Sequence, residues 1–193
     1  MAICADTKLV VSWLVGNRTA EHADMFMRDV ASRLSQRCQL TTDGLALYLP
    51  AVENAFAWDG VDFAQLQKHY GTAPDSNWRY SPPICLGTSK ERIMGRPVAK
   101  HVSTSYVERA NLSIRMSSRR FTRLTNGFSK KMENHAHAVA LHFFHANFCR
   151  AHLTLTKKAG GVHTSPAMAA GLTDHVWTIE KMLGMIEGTT TID

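Results

Sequence analysis

The hydrophobic pattern of this chain changes period several times, and each change marks an element. Lys8–Val15 (KLVVSWLV) is rich in β-branched and aromatic residues and ends at the turn signal Gly16-Asn17, which predicts a strand. Thr19 then offers a helix cap and Glu21 an acid in the first turn, where the helix dipole favours it. Ala23, Met27, Val30, Ala31 and Leu34 follow at helical spacing and predict one buried face. Cys38–Thr42 reads as a short second strand closed by Asp43-Gly44. Leu45–Phe56 reads as a helix beginning near Pro50, since proline suits a first turn better than an interior. Val61–Tyr70 is mixed in pattern.

Thr72–Pro97 holds Pro74, Pro82, Pro83 and Pro97 with Gly87 and Gly95, which predicts a loop or an irregular hairpin. Beyond it, Ser103 or Thr104 opens a helical stretch to about Leu124, and a second runs from about Met132 to His152. Lys157–Ser165 is a turn-rich link. Pro166 suits the first position of a short helix, and Thr173 or Asp174 caps a last one through Leu183. Gly188–Asp193 is expected to fray. Strand, helix, strand, helix and then long helices predict an α/β domain with a small central sheet.

Length and composition narrow the picture. The 193 residues suit one domain, residues 1–185, with a tail over 186–193. A hydrophobic share of 45% is enough for a core and excludes wholesale disorder. The net charge of +6 leans toward a polyanionic partner, although many proteins are this basic without one. No apolar run approaches the ~18 residues of a membrane span. No charged segment followed by an apolar one opens the chain as a secretory signal would. Cys4, Cys38, Cys85 and Cys149 are dispersed, which points to reduced thiols and a cytoplasmic setting.

Two features carry chemistry. Thr41-Thr42-Asp43-Gly44 puts an acid at the carboxyl end of a strand, where ligands of open α/β sheets gather. On this tetrapeptide alone, a plain β-turn aspartate is the more economical reading. The second feature is the helix around Glu108. At about 100° per residue, Glu108, Leu112, Arg115, Arg119 and Arg123 share a stripe, beside an apolar stripe of Val107, Ala110, Ile114 and Phe121. A solvated charged face is the bland reading. The stripe is nearly all positive below Glu108, however, and Lys130 and Lys131 add to it, so an anionic partner such as phosphate is expected to compensate. Two carboxylates on separate elements beside cations also suit a divalent metal, which takes few protein carboxylates and completes its shell with substrate phosphate.

Several stretches together resemble the transposases of small insertion sequences with an RNase H-like DDE core. They are SWLVGNRTAEHADMFMRDVASRL, QLTTDGLALYLPAVENAF, TSYVERANLSIRMSSRRFTRLTNGFSKK, HAVALHFFHANFCRAHLTL and SPAMAAGLTDHVW, spanning about Asp6 to Leu183. TTDG…Y and ERANLSIR…RRFTRLTNGFSKK are the most specific parts. The resemblance implies that Asp43 is the second catalytic acid and Glu108 the third, holding Mg²⁺ or Mn²⁺. It implies that Arg109, Arg115, Arg119, Arg120, Arg123, Lys130 and Lys131 contact DNA, and that the chain self-associates on paired DNA ends in a bacterial cytoplasm.

The family's first acid lies on an opening strand, in an Asp-Glu-aromatic motif that this chain does not show. AICADTKLVVSWLVG resembles the family's second strand instead, and Cys4 stands where similar sequences tend to carry Asp. Asp6 is the acid left nearby to stand in as a ligand. The expectation is therefore an RNase H-like core incomplete at its N-terminus, with weak or no catalysis. The rival readings are a non-catalytic DNA-binding remnant that regulates a full-length enzyme, and a nuclease or integrase of the same fold.

Other features weigh less. His135, His142, His145, Cys149 and His152 can share a broad face, and His145 with Cys149 could hold zinc. Val139, Phe143, Phe144 and Phe148 mark the same segment as a packing helix. Trp58, Trp78 and Trp177 read as core or loop anchors. Arg79, Lys90, Arg92, Arg96 and Lys100 make the Pro-rich region a DNA-contacting loop or a plain surface loop in equal measure.

Overall fold

Local signals decide most of the elements. In the computed structural model, which describes residues 1–56, 60–71, 84–122 and 126–187, the chain is mixed α/β and forms two compact units. One is Gly16–Glu108; the other joins Met1–Val15 to Arg109–Asp193. Among the described residues, no helix is long and apolar enough to cross a membrane.

In the first unit, Thr19 caps helix α1 (Ala20–Ser32), its hydroxyl accepting the His22 amide at 3.3 Å. Ala23, Phe26, Met27 and Val30 are buried, so Phe26 joins the predicted face while Ala31 and Leu34 lie at its margin. On the outer surface, Asp24–Arg28 and Asp29–Arg33 form i,i+4 pairs that contribute little individually. Helix α2 (Tyr48–Phe56) packs on α1 and buries Ala51 and Val52. It starts two residues before Pro50, keeping that proline within the first turn, where its missing N–H costs nothing.

Around α2, strands β3 (Cys38–Asp43) and β4 (Val61–Gly71) form a parallel pair, with Cys38 opposite Val61 and Asp43 opposite Leu66. A parallel pair needs a crossover, and α2 supplies it. Strand β5 (Ile84–Met94) runs antiparallel to β4, from Phe63 opposite Met94 to Gly71 opposite Ile84, with bulges beside Phe63 and His69. The order β3-β4-β5 makes β4 the central strand of a three-stranded mixed sheet. Val61–Tyr70, indistinct in sequence, is this strand because both faces of its first half are buried: Val61, Phe63, Ala64, Gln65 and Leu66 leave no apolar/polar alternation to read. The expected hairpin is present in part, as the antiparallel β4–β5 pairing; Thr72–Pro83, with Trp78 and Arg79, lie outside the described residues.

Polar side chains at the sheet find partners within this unit. The Gln65 amide donates to the Thr42 hydroxyl and the Leu45 carbonyl, each at 3.3 Å. Asp62 accepts from Arg37 Nη2 at 2.7 Å and from the Arg96 amide at 2.6 Å. Gly95 turns the chain there at φ +67°, and a Cβ would collide with Asp62 Oδ1 and crowd the Val61 carbonyl, so both backbone conformation and space demand glycine.

In the second unit, β1 (Ala2–Ile3) and β2 (Val10–Ser12) form a short antiparallel pair, shorter than the strand expected over Lys8–Val15. Helix α3 runs Ser105–Ser117, its first four residues belonging to the other unit. The expected run to Leu124 does not occur. Ser113 and Ser117 turn their hydroxyls onto the carbonyls of Arg109 and Ser113, Ser118 is extended, and a separate 3₁₀ turn follows at Arg119–Phe121. Serine competes for backbone hydrogen bonds in this way and shortens helices.

Helix α4 (Met132–Phe144) widens into a π-turn at His145–Cys149 and ends at the extended Arg150, so the helix expected through His152 closes early. That turn presents buried Asn147, which accepts the Val10 amide at 2.9 Å and donates to its carbonyl at 3.0 Å. Ile114, Val139 and Phe143 form the core here, with Met1, Val10, Trp13, Val15 and Phe121 against it. Phe144, Phe148 and Trp177 form an aromatic cluster with centroids 4.8–5.8 Å apart, the two phenyl rings stacked and Trp177 edge-on or tilted against them.

Helices α5 (Leu153–Lys158), α6 (Pro166–Ala169) and α7 (Ile179–Glu187) complete the unit. Pro166 does open α6, under a cap in which the Ser165 hydroxyl accepts the Met168 amide. The last helix begins later than predicted. Thr178 receives the Lys181 amide, while the expected cap Thr173 instead receives the Trp177 indole N–H at 2.9 Å.

Candidate carboxylate site and basic segment

Asp43 is the last residue of β3 and is exposed. Its Oδ1 accepts the Leu45 amide at 3.3 Å, an Asx-type contact that shapes the turn into α2. Tyr48 lies close enough that, after burial, the Asp43 charge is the next cause raising its phenol above the usual value. Partners in a parallel ladder share a sheet face, so Asp43 shares one with Leu66, and, two positions further along β4, with Lys68. Ala64 and Leu66 pack with Val102 on that face, ahead of α3.

Glu108 reaches the same strand. Its Oε1 accepts the Lys68 ammonium at 2.5 Å and the Thr104 hydroxyl at 2.7 Å. The Lys68 hydrogen bond, then that from Thr104, hold the Glu108 carboxyl below its usual range; the same bond raises Lys68. The unit thus places Asp43 and Lys68, the residue that pairs with Glu108, on one sheet face. Lys68 was not foreseen. It stands in an indistinct stretch, 40 positions from its partner, and no local pattern signals such a pair.

Asp6 lies in the turn between β1 and β2, exposed, in the other unit. Among the described residues, no group of three or more His, Cys, Asp or Glu side chains is placed to hold a metal ion. Oxygen donors of the type magnesium prefers are therefore present as Asp43 and Glu108, and the Lys68 ammonium already occupies a cation position at Glu108. The His145–Cys149 pair is part of the π-turn, and burial raises the Cys149 thiol, opposing the thiolate that zinc would need.

The basic residues fall on three pieces rather than one ladder. Arg109 and Arg115 are exposed on α3, Arg119 and Arg120 on the 3₁₀ turn, and Lys130 and Lys131 just before α4. Arg123 lies outside the described residues. A polar clasp joins the last two pieces: Arg120 Nη1 donates to Ser129 Oγ at 2.7 Å, and His135 Nδ1 lies 3.3 Å from the same oxygen. Phe121 packs on the His135 ring at 4.8 Å behind it. Arg120 is thereby held beside Lys130 and Lys131, with Phe128 exposed in the same loop.

Comparison with family models, with curated proteins and with solved structures finds no match to this chain.

Proposed function

We propose that the chain is the catalytic core of an insertion-sequence DDE transposase with an RNase H-like fold, acting on DNA by metal-dependent phosphoryl transfer. The observation that supports this best is the shared sheet face of Asp43 and of Lys68, the residue that holds Glu108. These are the two acids that the family resemblance assigns. A small mixed sheet flanked by helices is also compatible with that fold.

In this reading, Asp43 and Glu108 would hold a divalent ion, which would supply charge stabilisation at the reacting phosphate. Arg119, Arg120, Lys130 and Lys131 neutralise backbone phosphates and fix the register of the DNA. Water breaks the phosphodiester at the element's end, and the released 3′-hydroxyl then displaces the 3′ oxygen at a target phosphate. Self-association would bring two ends together.

A second reading has support of its own. Glu108 is already neutralised by Lys68, and the described residues offer no third acid beside it. That favours a DNA-binding protein without catalysis, derived from the same family.

Nicking of a supercoiled plasmid in Mg²⁺ or Mn²⁺ decides between them. The catalytic reading expects nicking that Asp43→Asn and Glu108→Gln each reduce by orders of magnitude. Unchanged rates in both variants would overturn the assignment. Steeply salt-dependent binding to a random-sequence duplex, with no nicking in either metal, would establish the second reading.

A further inference from the structure

Of the eight phenylalanines, all among the described residues, only Phe128 is exposed, at 65%. A single exposed apolar side chain is ordinary on a protein surface and needs no explanation by itself. Phe128 differs in its setting. It stands in the loop between the 3₁₀ turn and α4, where burial alternates: Gly127 and Ser129 are half-buried, Phe128 and Lys130 exposed. Ser129 is the inward member. Its Oγ accepts Arg120 Nη1 at 2.7 Å and lies 3.3 Å from His135 Nδ1. Phe121 rests on the His135 ring, with centroids 4.8 Å apart. The residue next to Phe128 is thus tied to both flanking elements, and the exposed ring stands on a fixed support. The charges around it are all positive. Arg119, Arg120, Lys130 and Lys131 lie on the turn and the loop, and no acidic residue occurs between Glu108 and Glu133.

We propose that Phe128 is a stacking platform for an unpaired base of a DNA strand whose phosphates are held by Arg120, Lys130 and Lys131. This rests on the DNA-binding part of the reading above, which its catalytic and non-catalytic forms share, and it adds the feature of the DNA that is recognised. Inside a duplex both faces of every base are covered by neighbours. A ring on a loop can therefore cover a base only where it is terminal or unpaired, unless it forces a base step open. Strand ends, where the proposed reaction takes place, supply such bases. Stacking on an aromatic side chain accepts any base, since each has a π-face, and it acts together with cations that follow the sugar-phosphate chain. Arg120 gives one N–H to Ser129, which orients the rest of its planar fork for a phosphate.

The test measures binding of the full chain to two labelled strands by fluorescence anisotropy. One is oligothymidylate of about 20 nucleotides, long enough for a binding site. The other has the same length in abasic tetrahydrofuran units, which keep the phosphates and lack the bases. The parent is expected to bind the base-bearing strand more tightly. Phe128→Ala should lose about five- to one-hundredfold on that strand, the usual effect of removing one stacked base, and bind the abasic strand as the parent does. Phe128→Tyr, which keeps a ring, should stay near the parent, and Phe128→Leu, which keeps apolar bulk alone, should fall with Phe128→Ala. The salt dependence should be unchanged in Phe128→Ala, whereas Lys130→Gln should lower its slope by about 0.7 and weaken both strands alike. Parent-like binding of oligothymidylate by Phe128→Ala, or an equal loss on both strands, would overturn the stacking role and leave DNA binding standing. If the parent binds neither strand at low salt, the DNA reading falls and the stacking role with it.

Discussion

The two units hold their strands by different means. In Gly16–Glu108, the central strand is packed through apolar contact: Phe63, Val61 and Val52 are completely inaccessible, and the buried Gln65 finds its partners within the unit. In the unit that joins Met1–Val15 to Arg109–Asp193, the strand β2 pairs with β1 and packs Val10 on the apolar core, and a side chain adds to this by imitating a further strand, with Asn147 pairing to both backbone groups of Val10. The first arrangement is tolerant of geometry and costly to hollow out. The second adds two directional bonds made from a π-turn, a helix irregularity often found where a side chain has a special task. The candidate groups sit at the rims of both: Asp43 and the Lys68–Glu108 pair in one unit, the Arg120 clasp at the surface of the other.

The largest expected effect lies in the apolar unit. Phe63→Ala should remove about 3–5 kcal/mol of stability, the usual cost of truncating a fully buried aromatic side chain. Urea unfolding followed by circular dichroism measures this. A loss below about 1 kcal/mol would mean that the sheet is not packed as described. The polar counterpart is Asn147→Ala, which leaves the Val10 amide and carbonyl without their partner and should cost about 1–3 kcal/mol. Hydrogen exchange sharpens the contrast. In Asn147→Ala the Val10 amide should lose protection beyond the global change, whereas in Phe63→Ala amide protection should fall across β3 and β4 together. A Val10 amide equally protected in the parent and Asn147→Ala would remove the distinction between the two units.

How much of this was legible depends on the range of the signal. Thr19 with the spacing of Ala23, Met27 and Val30, and Pro166 at a first helical position, are local devices, and the elements they predict are present. Asp43 could be placed at a strand end from four residues. The long central strand could not be recognised, because burial on both faces erases alternation and its partner follows a proline-rich stretch. The end of α3 is not legible, because apolar spacing continues to Phe121, while the serines that stop the helix act through hydroxyl bonds to its own carbonyls. The division into two units, and the Lys68–Glu108 and Asn147–Val10 pairs, depend on contacts across 40 and 137 positions that no local pattern records.

The smallest expected effect separates a rim contact from both cores. Arg37 binds Asp62 in two-pronged fashion, and the Arg96 amide adds a third bond. The Arg37 hydrogen bond first, then that from Arg96, lowers the Asp62 carboxyl from 3.8 to about 2. A carboxyl depressed in the folded state stabilises the fold above its unfolded value and loses that contribution as pH falls through the folded one. The stability from this contact should therefore be complete above about pH 4 and fade toward pH 2. In Arg37→Gln the first-ranked cause is gone, so the carboxyl titrates nearer its ordinary value and the pH dependence over that interval flattens. Both side chains are partly exposed, which keeps the difference at neutral pH small. Urea midpoints of the two proteins, taken stepwise from pH 5 to the acid limit of folding, should be furthest apart at the upper end and converge at the lower. Parallel curves would show that Asp62 is held by something other than Arg37, and that even the rim of this unit is fixed by its apolar interior.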